Sequence, residues 1–169
     1  MIRPILRYGE ASLQTKAAPV EKFDDSLRHL LRDMAETMYA APGVGLAAPQ
    51  IGVPLRVFVI DISVGKRRGE LIEMINPEFV VCEGMQLEEE GCLSIPGFEA
   101  TVVRPMRAVV RGFGQDGESK TVEGTGLLAR ALQHEMDHLD GSLFVDRLRG
   151  IKRDVIIRKV QKLKRSGKW

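Results

Sequence analysis

Residues 133–138 read Gln-His-Glu-Met-Asp-His, with a glutamate directly after one histidine and a second histidine four positions after the first. These residue types can hold a metal ion and move a proton. On a helix, positions i and i+4 share a face with about 5–6 Å between their Cβ atoms, so His134 and His138 can grip one ion. Glu135 sits one residue round the helix, near enough to reach a bound water without ligating the ion itself. The segment thus offers two ligands and one base.

A catalytic ion of this kind needs a third protein ligand and an open position for water or substrate. The sequence downstream offers neither common completion. Position 144, where a third histidine would stand six residues after His138, is Phe144, and no glutamate follows Glu135. His29 lies beside Leu30 and Leu31 and reads as an ordinary structural or surface residue. Two cysteines upstream compete for the place. Cys82 ends the run Phe79-Val80-Val81-Cys82 and reads as a buried strand cysteine acting as a small hydrophobe. Cys92 lies in Glu90-Gly91-Cys92-Leu93-Ser94, where the glycine allows close backbone approach and the chain is leaving a strand. Cys92 with His134 and His138 is the favoured ligand set.

The elements that must position these residues can be read from periodicity and turn chemistry. Asp24, Asp25 and Ser26 offer capping oxygens, Leu27, Leu30, Leu31, Met34 and Met38 share one helical face, and Pro42-Gly43 stops the pattern. From Arg56 to Arg111 the runs RVFVIDI, LIEMINP, EFVVCE and MRAVVRGF predict several short, mostly antiparallel strands. Gln115-Asp116-Gly117-Glu118 supplies a turn, so 107–113 and 119–123 form a predicted hairpin. Thr125 can cap a helix from about Gly126 to Leu139, with Leu127 and Ala131 continuing the histidine face as an apolar stripe pointing inward. A last helix is expected from about Ile151 to Arg165, with Ile156, Val160 and Leu163 on its apolar side. The fold class is α+β: short strands packed around a central metal-binding helix, with helices near both ends.

Bulk properties bound the function. A chain of 169 residues suits one domain. With 44% hydrophobic and 28% charged residues it reads as a globular protein. No secretory signal or membrane-length apolar run is present in the sequence, and two cysteines are too few for a disulfide framework. These features predict a cytoplasmic protein with no membrane partner. Charge is divided unevenly. Residues 1–146 carry 15 Lys/Arg against 22 Asp/Glu, whereas residues 147–169 carry 10 Lys/Arg against Asp154 alone. The basic helix from about residue 150 is either a solvated surface or a docking element for a polyanion such as RNA.

Three blocks, Gly43-Val44-Gly45-Leu46-Ala47-Ala48-Pro49-Gln50, Glu90-Gly91-Cys92-Leu93-Ser94 and Gln133-His134-Glu135-Met136-Asp137-His138-Leu139-Asp140-Gly141, resemble those of the peptide deformylases, in the same order. The resemblance covers essentially the whole chain, 1–169. It implies a metal hydrolase that removes the formyl group from the N-terminal formyl-methionine of nascent polypeptides. It also implies one Fe(II) per chain, replaceable by zinc, nickel or cobalt, on Cys92, His134 and His138. Glu135 would be the acid/base, and the Gln50 amide with the Leu93 N–H would stabilise the oxyanion. Gly43, Val44 and Gly45 would pair with an extended peptide, with Glu90 and Gly91 beside them and Leu127, Arg130 and Ala131 at the methionine pocket. Arg130 stands where a more aliphatic residue is expected, and Glu99 where relatives often carry a basic one. The implied partners are formyl-Met peptides and nascent chains, with the ribosome reached through the basic helix, and the implied state is a monomer. Two rivals stay open: a metallopeptidase, and a non-catalytic ribosome-associated metal-binding module.

Overall fold

The computed structural model describes residues 1–169. Helix α1 (Asp25–Ala40) starts where the Asp24 carboxylate accepts the Leu27 N–H at 3.1 Å, satisfying one of the free amides at a helix start. Leu27, Leu30, Leu31, Met34 and Met38 are all buried on one face. Strand β1 (Gly45–Ala47) follows, then β2 (Val57–Ile60), whose four residues are all buried. Val57 and Val59 pack with the α1 stripe, and Phe58 and Ile60 with Leu132 and Met136 of helix α2 (Gly126–Leu139). A strand covered on both faces reads as a continuous apolar run rather than an alternation, which accounts for RVFVIDI.

Strands β3 (Ile72–Glu83), β6 (Arg107–Phe113) and β7 (Ser119–Thr125) complete an antiparallel sheet in the order β1-β2-β3-β6-β7. The expected β6–β7 hairpin is formed, with Phe113 opposite Ser119. LIEMINP and EFVVCE, expected as separate strands, are one strand, β3. Its register against β6 shifts between Ile75 and Glu78, around Pro77. Proline cannot donate to a ladder, and Asn76 absorbs the irregularity at φ 51 while its side chain bonds both the N–H and the C=O of Val20. β2 begins with Val57 opposite Ile75 and runs away from the far half of β3, which pairs on one side only. Cys82 lies in that half and is exposed, contrary to the expected buried position.

Strands β4 (Gln86–Gly91) and β5 (Glu99–Arg104) form a separate two-stranded sheet. α2 has the predicted bounds, but Thr125 makes no side-chain cap. The helix start is instead tied to the strands by the Gly126 N–H on the Met106 C=O at 3.0 Å. Helix α3 (Ile151–Arg165) docks through Ile156 and Val160 into a cluster with Leu13, Ile95, Phe144 and Leu148, and Leu163 is half-buried. The architecture is α+β, with α2 between the larger sheet and β4–β5. No helix is long and apolar enough to cross a membrane.

Candidate active site

α2 presents His134 and His138 toward the chain leaving β4, and Cys92 meets them there. The ligand atoms of the three residues lie within 4.8 Å of one another. His138 Nε2 is 3.2 Å from His134 Nε2 and 3.3 Å from Cys92 Sγ. A tetrahedral ion with metal–nitrogen bonds near 2.1 Å and a metal–sulfur bond near 2.3 Å holds its donors roughly 3.3–3.6 Å apart, so the trio fits one ion. Burial pushes the His138 pKa well below its usual value, whereas at His134 burial is outweighed by the bonds to Cys92 and Glu90, which raise it. The Cys92 sulfur also faces the Ser94 N–H at 3.4 Å. His29, by contrast, is exposed on α1 and lies apart from this cluster.

Behind the ligands is a set of buried charges. His134 Nδ1–H donates to Glu90 Oε1 at 2.6 Å, a partner that fixes the tautomer and aims Nε2 at the cluster. Both Glu90 oxygens are also held by Arg104, whose side chain is wholly buried and whose Nη1 reaches Asp137 at 3.0 Å. Arg147 closes the chain on both Asp137 oxygens at 2.6 and 2.7 Å. Burial alone would raise the Glu90 pKa, but the bonds from Arg104 and His134 outweigh it and hold it down to about 2. Glu90, expected at the substrate, lines the cavity and also supports His134. Sequence reasoning missed Arg104, Asp137 and Arg147 in this role; the available signal is Arg104 itself, alternating inward with Val102 on β5.

Glu135 is buried beside the ligands, and burial pushes its pKa up to about 7. The buried side-chain polar atoms without a hydrogen-bond partner are Glu135 Oε2 and His138 Nδ1. Folded proteins rarely leave such groups unpaired outside functional places, and both are in this cluster. Gly45 makes room for the carboxylate, since a Cβ there would lie 2.6 Å from Glu135 Oε1. Gln50 is held in one orientation: its Oε1 accepts the Ala47 N–H at 2.9 Å and its Nε2 donates to Ser94 Oγ at 3.1 Å, with Cys92 Sγ 3.8 Å away. The Leu93 N–H donates to no group of the chain.

A cavity of about 930 Å³ opens over these groups, walled by Gly43, Val44 and Gly45 on one side and by Gly91, Leu93 and Glu99 on another. β1 is the edge of its sheet. The Val44 C=O accepts from the Asp61 N–H at 2.8 Å and so faces inward; peptide groups alternate sides along a strand, which turns those of Gly45 outward. Ala131 is buried in the cavity wall, while Leu127 is half exposed at its mouth rather than inside the apolar stripe. Arg130 lies between them, bonded to Gln86 Oε1 at 2.6 Å and the Glu88 C=O at 3.1 Å. Its head ties α2 to β4, leaving its stem against the cavity.

Comparison with known proteins agrees with this geometry. The polypeptide deformylase family model matches residues 2–154. A peptide deformylase of Acidobacterium capsulatum is 50% identical over 169 residues, covering 100% of this chain and 99% of its own. The crystal structure of a peptide deformylase from Legionella pneumophila superposes with a TM-score of 0.92 at 50% identity, covering 99% of this chain and 98% of that one. The peptide deformylase of Thermus thermophilus gives 0.89 at 41% identity, over 96% and 95% of the two chains. With that match and these ligands in place, the chain belongs to the polypeptide deformylase family.

Proposed function

We propose that the chain hydrolyses the formamide of N-formyl-methionyl peptides, releasing formate and a free amino terminus. The observation that carries this reading is the convergence of Cys92, His134 and His138 beside an unpaired Glu135 carboxylate, under an exposed strand edge. When bound, a divalent ion there supplies Lewis-acid polarisation and a water acidic enough to attack near neutral pH. Glu135, free at Oε2, takes a proton from the attacking water and returns it to the departing amine. The Gln50 Nε2 and the Leu93 N–H donate to the oxygen on which charge develops; one such donor is worth about 3 kcal/mol of barrier. Gly45 offers its outward peptide groups to the substrate backbone, a mode that grips many sequences alike. Ala131, Leu127 and the stem of Arg130 receive the methionine side chain, and Gly43 and Val44 shape the approach.

We assign Fe(II) as the ion, one per chain, with zinc, nickel and cobalt able to replace it. Thiolate and imidazole donors accept all four, so the preference for iron rests on the family resemblance. The same reading makes residues 1–169 one catalytic domain, monomeric and cytoplasmic, acting on nascent chains. The test is formate release from a formyl-Met tripeptide, with the unformylated peptide as control; cleavage of the control alone would point to a peptidase instead. Gly45→Ala is expected to lower kcat by about 10- to 100-fold, because displacement of a reacting group by an ångström costs that much. An unchanged kcat in that variant would show that the Glu135 carboxylate shifts without loss of its alignment.

Ribosome docking belongs to the same proposal. Lys159 and Lys162 are exposed on α3, where a positive surface suits a phosphate backbone. Lys159→Glu with Lys162→Glu is expected to weaken co-sedimentation with ribosomes, most clearly at low salt, while formate release from a tripeptide stays at the wild-type rate. Unchanged co-sedimentation would make the basic helix an ordinary solvated surface.

A further inference from the structure

We infer that Trp169, which belongs to none of the motifs, is a positioning residue for the oxyanion donors; the inference rests on the deformylase reading above. α3 ends at Arg165 and the chain then reverses. Gly167 adopts φ 71, its N–H bonds the Lys164 C=O at 3.1 Å, and the Lys168 N–H reaches back to the Leu163 C=O at 2.8 Å. This paired closure over a left-handed glycine is a Schellman ending, and it folds Trp169 back toward the body. There the indole N–H donates to the Tyr8 C=O at 2.9 Å. The ring meets Phe98 edge-on with centroids 6.1 Å apart, and the Arg7 guanidinium lies 5.9 Å from its centroid.

Residues 6–8 are a strap with the active site behind it. The Leu6 N–H donates to the Gln50 C=O at 2.7 Å, and the Tyr8 N–H donates to the Ser94 C=O at 2.8 Å. Ser94 in turn accepts the Gln50 side-chain amide and follows Leu93 in the chain. The strap therefore ties together the backbones that carry both oxyanion donors, and Trp169 holds it from outside. Arg7 and Phe98, the residues the indole packs against, also line the cavity. A loose Trp169 frees the strap, and with it the alignment of Gln50 and Leu93.

The experiment compares wild type, Trp169→Ala and Trp169→Phe for kcat, KM and amide exchange. Trp169→Ala is expected to lose about 10- to 100-fold in kcat, the scale of a displaced catalytic group, and to raise KM as Arg7 and Phe98 shift. Trp169→Phe keeps an aromatic ring against Phe98 but not the donor, so KM returns to the wild-type value while kcat stays below it. In metal-free protein, the amides of Leu6 and Tyr8 exchange faster in Trp169→Ala, while those of α2 keep their wild-type rates. Wild-type kcat and KM in folded Trp169→Ala would overturn the inference, as would equal acceleration at α2, which marks general destabilisation. If Trp169→Ala does not fold, a wild-type kcat in Trp169→Phe overturns it. If the wild-type protein releases no formate, the deformylase reading fails instead, and unchanged exchange at Leu6 and Tyr8 in the variants then removes the strap as well.

Discussion

Glutamine at position 135 is expected to leave a folded protein that still binds metal but releases formate about 10²–10⁴-fold more slowly, the usual size of a lost general acid–base. The carboxylate it replaces is buried, pushed up to about 7 by that burial, and has one oxygen with no partner in the chain. Such a group is a cost to the fold. Thermal unfolding of the Glu135→Gln protein should therefore occur at the wild-type temperature or above it. A residue kept for structure behaves oppositely, losing stability while sparing turnover. Metal content, measured on the same samples, separates loss of the base from loss of the ion, because Glu135 is not among the three converging ligands.

Arg104→Met is expected to destabilise the protein by about 3–5 kcal/mol, the cost of leaving a buried charge without its partner. Arg104 is wholly buried between Glu90 and Asp137. Asp137 keeps Arg147, but Glu90 loses both bonds from Arg104 and is left with His134 and the more distant Arg130 at 3.5 Å. Metal affinity should fall as well, by about 10- to 100-fold, as when partners behind a ligand are removed. The two effects can be pulled apart. In Arg104→Met with Glu90→Met the unpaired charge is gone, so stability recovers, while His134 remains unsupported and the ion remains weakly held. Chemical denaturation of metal-free protein reads the first quantity, and competition with a chelator reads the second. Full recovery of both in the double variant would show that Glu90 does not orient His134.

The shared face of His134 and His138 on α2 is legible in the sequence because i and i+4 spacing is a local property, and so are the bounds of α2 and α3. Cys92 is legible by its glycine and by the absence of any downstream ligand. The supporting charges are not. Glu90 lies 14 residues from Arg104 and 44 from His134, and no local pattern links positions that only the fold brings together. β4 is equally silent. Its run QLEEEG is mostly exposed, and without an apolar face the alternation that marks a strand is missing. Cys82 misleads because an apolar run implies burial only where neighbours cover it, and β2 runs away from that part of β3. Trp169 carries no signal at all, since its partners Tyr8 and Phe98 come from distant parts of the chain.

The deciding measurement is formate release from a formyl-Met tripeptide by protein prepared without oxygen and loaded with Fe(II), beside Glu135→Gln carrying the same ion. Rapid release by the wild type, one ion per chain in both, and near loss of release in the variant are expected. Equal release by the two would contradict the role of Glu135, and no release from fully metallated, folded wild type would contradict the assignment of function itself.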